Sequence, residues 1–126
     1  MRPAPAVSVG TWLTEQPAHE LYTTAVTVAE IGYGISRLPD GQRRELLAAA
    51  AGEAFSAFSE HILSFDASAA AHYAEIVLGR ARSGAPISGF DAQIACICRD
   101  RRAVLATRNV KDFDGVGIDL INPWDW

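Results

Sequence analysis

The sequence predicts an α/β fold with a mostly parallel sheet, and three observations support this. Short runs rich in β-favouring residues alternate with amphipathic helical segments. The connections between them are short, and no internal repeat or low-complexity linker interrupts their order. The chain has 126 residues, of which 49% are hydrophobic, so one globular core accounts for it. We therefore expect a single three-layer α/β/α domain over residues 1–126.

The predicted helices cover residues 7–15, 27–38, 42–60, 69–82 and 88–100, and the predicted strands cover residues 21–26, 62–65, 103–107 and 118–121. The first strand is rich in threonine, tyrosine and valine, and a helix follows it at once. Thr27 and Glu30 have the spacing of a capping box at the start of that helix, and the turn from Leu38 to Gly41 ends it. Apolar side chains that recur at steps of three and four predict the long helix beyond Gln42.

The second half of the chain gives equally local signals. Asp66 or Ser68 can cap the fourth helix, and the segment from Ser83 to Pro86 breaks it. The fifth helix begins at Ser88 or Gly89. The run from Ala103 to Thr107 is short and almost wholly apolar, which is typical of a strand covered on both faces.

Net charge argues against attachment to nucleic acid or membrane by bulk charge, because fifteen acids and eleven bases give −4. Binding of a polyanion such as nucleic acid would require a local cluster of basic side chains. The candidate patch is Arg99, Arg101, Arg102, Arg108 and Lys111. No run approaches the roughly 20 apolar residues that span a bilayer, and the N-terminus lacks a signal-peptide stretch. We therefore predict a cytoplasmic protein with no membrane partner.

Several common kinds of site find little support. Cys96 and Cys98 lie two residues apart on a helix, which suits neither a disulfide nor a metal pair, so both are expected in the core. His19, His61 and His72 fall in turns or on polar helix faces, where we expect them to be solvated rather than part of a nucleophilic triad. A generic nucleotide binder has little support too, because no glycine-rich phosphate loop follows a strand.

Two acids fall on apolar helical stripes, where an unpaired carboxylate is costly. Asp91 shares the spacing i, i+3, i+4, i+7 with Ile94, Ala95 and Cys98. It also lies in the first turn of its helix, so ordinary N-terminal capping remains the alternative. Glu30 has the same spacing near the carboxyl end of the first strand, and its alternative is the capping box with Thr27.

A third candidate follows the strand at residues 103–107. Thr107, Asn109 and Asp112 offer a hydroxyl, an amide and a carboxylate, although an ordinary polar loop explains this segment taken alone. Three separate segments would thus place acids at one edge of the sheet, where carboxylates repel unless a cation or proton lies between them. Oxygen ligands suit Mg²⁺, which serves phosphoryl chemistry. Metal-dependent phosphodiester hydrolysis is the natural inference.

Four segments together resemble a PIN domain of the VapC and FitB branch, in order and in spacing: Thr23 to Gly34, Phe90 to Ala95, Ala106 to Phe113, and Ile121 to Trp124. The resemblance covers essentially the whole chain. It implies a ribonuclease dependent on Mg²⁺ or Mn²⁺ with an RNA substrate. It also implies the toxin half of a toxin–antitoxin pair, commonly a homodimer bound by its cognate antitoxin.

The same resemblance assigns roles to residues. Glu30, Asp91 and Asp112 resemble three of the family's acidic site residues, which would hold the metal. Thr107 and Asn109 resemble the polar residues that support them, and Asn109 occupies a place that is Asp in many relatives.

The start of the chain departs from the family pattern. The family opens with a central strand that ends in an Asp-Thr-Asn type of motif, whereas Met1-Arg2-Pro3 here resembles a later segment. We therefore expect the first central strand and the first acid to be missing from this sequence. The alternative to an active ribonuclease is a catalytically inactive truncated homologue that acts as an antitoxin-binding or dimerisation partner.

Overall fold

Parallel strand pairing occurs twice in the computed structural model of the chain, which describes residues 11–125. Strand β1 (Thr23–Thr24) pairs with β2 (Ile62–Leu63), and β3 (Leu105–Ala106) pairs with β4 (Leu120–Ile121). All four strands lie where strands are predicted, which confirms the α/β class and the parallel pairing. Each ladder is only two residues long, and the described strands form two sheets where one was predicted.

The chain divides into two compact units, and the first is Leu21–Ser64. In it, β1 leads into α1 (Ala25–Ser36), then α2 (Gln42–Ala57) and β2. The predicted capping box is wrong, because Thr24 is the N-cap and its hydroxyl accepts the backbone N–H of Thr27 at 2.9 Å. Helix α1 therefore begins two residues earlier than predicted, and the strand is correspondingly shorter.

The turn between α1 and α2 lies where Leu38 to Gly41 was expected. Gly41 adopts φ 153° as the N-cap of α2, a backbone region that essentially only glycine occupies. Glycine at this position thus lets the chain reverse direction.

His61 corrects an expectation about the histidines. It was expected to be solvated, but its Nδ1 lies 2.8 Å from the carbonyl oxygen of Leu21, and its ring stacks on Tyr22 with centroids 4.4 Å apart. The His61 side chain therefore connects the segment just before β2 to the segment just before β1.

The second unit comprises the described residues 11–20 and 65–125. Residues 11–15 are helical, and the rest of the helix predicted from Val7, like Met1-Arg2-Pro3, lies outside the described residues. Three helices follow, α3 (Ala67–Ala70), α4 (Tyr73–Arg82) and α5 (Gly89–Arg101). Short 3₁₀ helices lie at Ala18–Glu20, Val110–Phe113 and Pro123–Asp125.

The helix predicted over residues 69–82 is divided between α3 and α4. Asp66 caps α3 by accepting the backbone N–H of Ala69 at 2.9 Å. On α5, the Asp100 carboxylate accepts a hydrogen bond from the Ser68 hydroxyl at 2.7 Å and lies 3.5 Å from His72 Nε2. The break falls between these two anchored side chains, so tertiary contacts with α5 accompany the interruption.

Helix α5 forms the core of this unit. Ala92 and the continuous run from Ile94 to Cys98 are buried, so the helix is covered all round its middle and not only along the predicted stripe. Cys96 and Cys98 are buried free thiols, which confirms them as core residues. Burial raises the pKa of Cys98 to about 11, so this thiol stays protonated and unreactive at neutral pH.

Ile97→Ala is expected to lower the free energy of unfolding by about 2–5 kcal/mol, because it leaves a cavity in the most buried part of the helix. Ile97 is 1% exposed, whereas Leu78 on α4 is 50% exposed and provides the matched control. Urea unfolding of both alanine variants checks this. A loss at Leu78 as large as that at Ile97 would contradict the placement of the core.

Within residues 11–125, no helix is both long enough and apolar enough to cross a membrane.

Candidate active site

Asp91 lies in the first turn of α5 and is half-buried. Ser88 is the N-cap, and its hydroxyl accepts the backbone N–H of Asp91 at 3.2 Å. The capping role that competed for Asp91 therefore belongs to Ser88. The carboxylate of Asp91 remains at the positive end of the helix dipole, which favours a negative charge there.

Asp112 lies on the 3₁₀ turn after β3, and successive hydrogen bonds build this turn from the strand outward. The backbone N–H of Thr107 donates to Ile121 at 2.9 Å, which continues the β3–β4 ladder. The Thr107 hydroxyl accepts the backbone N–H of Asn109 at 3.1 Å. The carbonyl of Asn109 then accepts the backbone N–H of Asp112 at 3.0 Å. Thr107 and Asn109 thus shape the loop that carries this acid.

Asp91 and Asp112 are close enough for their charges to interact. Burial raises the pKa of Asp91, and repulsion from Asp112 raises it further. The Ser88 hydroxyl and the positive charge of Arg80 oppose this rise. Two of the predicted site residues are therefore brought together, although 21 positions separate them in the sequence.

Arg80 was not among the predicted site residues, yet it connects the elements of this site. It lies on α4 and is only 8% exposed. Its Nε donates to the carbonyl of Ala85 at 2.6 Å, and its Nη1 donates to the carbonyls of Asp112 and Asp114 at 2.7 and 3.2 Å.

Glu30 belongs to the other unit and lies in the second turn of α1. Because Thr24 is the N-cap, Glu30 cannot be the reciprocal half of a capping box, and that alternative is removed. The stripe predicted around it is not a buried one, since Ile31 is 41% exposed. The assignment of Glu30 as a metal ligand stays a prediction.

The predicted basic patch is spread along the second unit. Arg99 and Arg102 line a cavity of about 380 Å³ with Asp119 at the C-terminal end of α5, and Arg99 also pairs with Glu75 at 2.9 Å. At a rise of 1.5 Å per residue, that end of the helix is about 16 Å from Asp91. Arg108 and Lys111 are the members of the patch that share the loop of Asp112, and both are exposed.

Comparison with known proteins places the chain in a family. The PIN domain family model matches residues 3–118. The chain belongs to the PIN domain family. The crystal structure of FitAcB from Neisseria gonorrhoeae has a TM-score of 0.86 and 30% identity to this PIN domain, and the match covers 99% of this chain and 91% of that chain.

Similar proteins are toxins and ribonucleases by name. VapC ribonuclease Y4jK of Sinorhizobium fredii is 34% identical over 122 residues, which are 96% of this chain and 87% of that protein. Toxin FitB of Neisseria gonorrhoeae is 30% identical over 125 residues, which are 98% of this chain and 90% of that protein. These matches confirm the resemblance to the VapC and FitB branch that the motifs predicted.

The donor set of the PIN domain suits a hard divalent cation. Mg²⁺ is usually held by one or two carboxylates together with several waters, and Asp91 and Asp112 offer two carboxylates that repel one another. A cation between them would relieve that repulsion. Within residues 11–125, no group of three His, Cys, Asp or Glu side chains is placed to hold a metal ion.

Asp91→Asn is expected to raise the free energy of unfolding of the metal-free PIN domain at neutral pH. The pKa of Asp91 is raised above its ordinary 3.8, first by burial and then by Asp112, so the native state releases this proton later than the unfolded chain does. Its contribution to stability therefore falls as pH rises from the unfolded pKa through the raised native pKa.

Urea unfolding of the native protein and Asp91→Asn from about pH 3 to pH 7 checks this sign. The two stability curves should separate in favour of the variant as pH rises. Curves that separate in the opposite direction would show that the carboxylate is stabilised in the fold and not strained.

Proposed function

We propose that this PIN domain is a metal-dependent endoribonuclease and the toxin of a toxin–antitoxin pair. In this proposal Asp91, Asp112 and Glu30 hold Mg²⁺ or Mn²⁺, while Thr107 and Asn109 support the loop of Asp112. The observation that carries the proposal is the proximity of two carboxylates, Asp91 on α5 and Asp112 on the 3₁₀ turn after β3. The negative charge of Asp112 contributes to the raised pKa of Asp91. Names of relatives such as VapC ribonuclease Y4jK support the RNA substrate.

The chemistry assigned to the residues follows from their charges. When bound, a divalent ion polarises a phosphate and lowers the pKa of a water molecule. Asp91 and Asp112 provide the negative charge that attracts the ion, and a cation beside them would favour the ionised form of Asp91 over its protonated form. Metal binding by this pair should therefore strengthen as pH rises through the pKa of Asp91.

RNA would be held near the acids by local positive charge. Arg108 and Lys111 are exposed on the loop that carries Asp112, so their side chains can meet phosphates beside the acidic pair. The net charge of −4 works against binding elsewhere on the surface. The affinity for RNA should accordingly fall as salt rises.

Protein partners are proposed from exposed apolar surface and from relatives. Helices α1 and α2 leave Ile31, Tyr33, Leu46 and Leu47 at least 40% exposed. We take these exposed apolar side chains as candidates for a surface that meets another protein. Toxin FitB is one relative, and a solved structure describes FitAB bound to a DNA fragment. We therefore propose a cognate antitoxin and a second copy of this chain as partners.

Incubation of the 126-residue chain with single-stranded RNA tests the activity. Cleavage is expected with Mg²⁺ or Mn²⁺ and is expected to stop with EDTA, then return when excess metal is added. RNA that stays intact at every metal concentration, in the presence of a folded chain, would overturn the nuclease proposal.

A second candidate function is an inactive homologue that binds an antitoxin or a second copy. The observation that favours it is the exposed apolar surface on α1 and α2, with Tyr33 65% and Leu46 62% exposed. This candidate predicts a chain that dimerises or binds the antitoxin with unchanged RNA. Cleavage that depends on metal would exclude it.

A further inference from the structure

Arg80 is a base placed where bases are rarely found. It is only 8% exposed, and a buried guanidinium is strongly destabilising unless its donors are satisfied. Here its Nε and Nη1 donate to backbone carbonyls at distances between 2.6 and 3.2 Å. Such charge-assisted bonds are stronger than those between neutral groups, and the planar guanidinium fixes their directions.

The acceptors belong to two segments on which the acids depend. Ala85 lies in the loop that enters α5, three residues before the N-cap Ser88 and six before Asp91. The carbonyls of Asp112 and Asp114 belong to the 3₁₀ turn and the residue just after it. One side chain on α4 therefore connects the loop before Asp91 to the turn that carries Asp112.

This connection matters because the two carboxylates repel one another. The turn of Asp112 is only four residues long, Asp112 itself is exposed, and the turn is anchored by the buried ring of Phe113 and by the hydrogen bonds at Thr107 and Asn109. Hydrogen bonds to its backbone carbonyls keep the turn in place against that repulsion. Arg80 holds the backbone carbonyl of Asp112 and not its carboxylate, which stays available to a ligand.

We propose that Arg80 is the positioning residue of this acidic site, whose guanidinium fixes the turn of Asp112 relative to the loop that leads to Asp91. This inference rests on the proposed metal-dependent nuclease function. It assigns to Arg80 no contact with RNA or with the reacting atoms. Its effect on catalysis is transmitted through the placement of Asp112.

Arg80→Lys tests the proposal, because lysine keeps the charge but cannot reproduce the planar fork. The expected result is a fall in kcat of roughly 10–100-fold and a weakening of Mn²⁺ binding of similar size, as when residues that orient metal ligands are lost. The KM for RNA should change by less than about twofold, since no uniform binding is removed. Arg82→Lys is the matched control on the same helix, where Arg82 is exposed, and it should match the native protein.

The outcomes separate the possible roles of Arg80. A folded Arg80→Lys variant with native kcat and native Mn²⁺ affinity would overturn the proposal. A rise in KM with native kcat would overturn it too, because it would make Arg80 an RNA contact. If the native protein itself neither binds Mn²⁺ nor cleaves RNA, the proposed function fails, and the placement of the turn is judged by hydrogen exchange alone.

Hydrogen exchange at the turn of Asp112 can be measured on the unsubstituted chain, so this test does not depend on whether a variant folds. The backbone N–H groups of Asp112 and Asp114 donate to Asn109 and Lys111 within the held turn, so both should exchange much more slowly than unprotected amides. Exchange at the rate of an unstructured chain would show that Arg80 does not hold the turn, and would overturn the inference independently of any activity.

Discussion

Asp91→Asn is expected to lower RNA cleavage by on the order of 10³-fold, because a bound metal supplies several kcal/mol of charge stabilisation and each 1.36 kcal/mol is tenfold in rate. The amide keeps the size of the side chain and removes the charge that attracts the cation. Single-turnover cleavage of a labelled RNA at saturating enzyme measures the loss directly.

The control for this substitution is Asp119→Asn. Asp119 is an exposed carboxylate at the opposite end of α5, beside Arg99 and Arg102, and its removal should leave cleavage unchanged. Because Asp91→Asn is also expected to be more stable at neutral pH, we do not expect unfolding to account for its lost activity. Full activity in a folded Asp91→Asn protein would contradict the assignment of Asp91.

Glu30→Gln is expected to lower RNA cleavage by a comparable factor, on the order of 10²–10³-fold, if its carboxylate shares the cation. Glu30 lies in the second turn of α1, and its substitution tests the role that the family resemblance implies for it. Single-turnover cleavage is again the measurement.

Glu53→Gln provides the matched control for Glu30→Gln, because Glu53 is an exposed glutamate on α2 and has no assigned role. Its cleavage rate should equal that of the native protein. Equal rates for Glu30→Gln and the native protein would remove Glu30 from the site and leave Asp91 and Asp112 as its acids.

The sequence predicted where strands lie better than how long they are. The composition of residues 21–26 correctly placed β1, but Thr24 caps α1 and so ends the strand after two residues. Both Thr24 and Thr27 carry a hydroxyl that can cap, and only Thr27 was predicted to do so. The strand predicted to be covered on both faces is more open, because Val104 just before β3 is 53% exposed and β3 pairs only with β4 in the described chain.

Local sequence patterns identified single site residues but not which of them lie together. Asp91 was found because it lies on an apolar stripe of its helix. The proximity of Asp91 to Asp112 depends on how α5 and the 3₁₀ turn pack, which no local pattern encodes. Arg80 was missed although a signal existed. It follows Tyr73, Ile76 and Val77 at the spacing i, i+3, i+4, i+7, so the same stripe test applied to bases would have found it.

Calorimetric titration of Mn²⁺ into the native chain, Asp91→Asn and Glu30→Gln measures whether these carboxylates hold a metal ion. We expect Mn²⁺ to bind the native chain, and each substitution to weaken binding by at least the roughly tenfold that loss of a group orienting a metal ligand costs. Absence of Mn²⁺ binding to the folded native chain, or equal affinity in all three proteins, would contradict the account of a carboxylate-held metal ion.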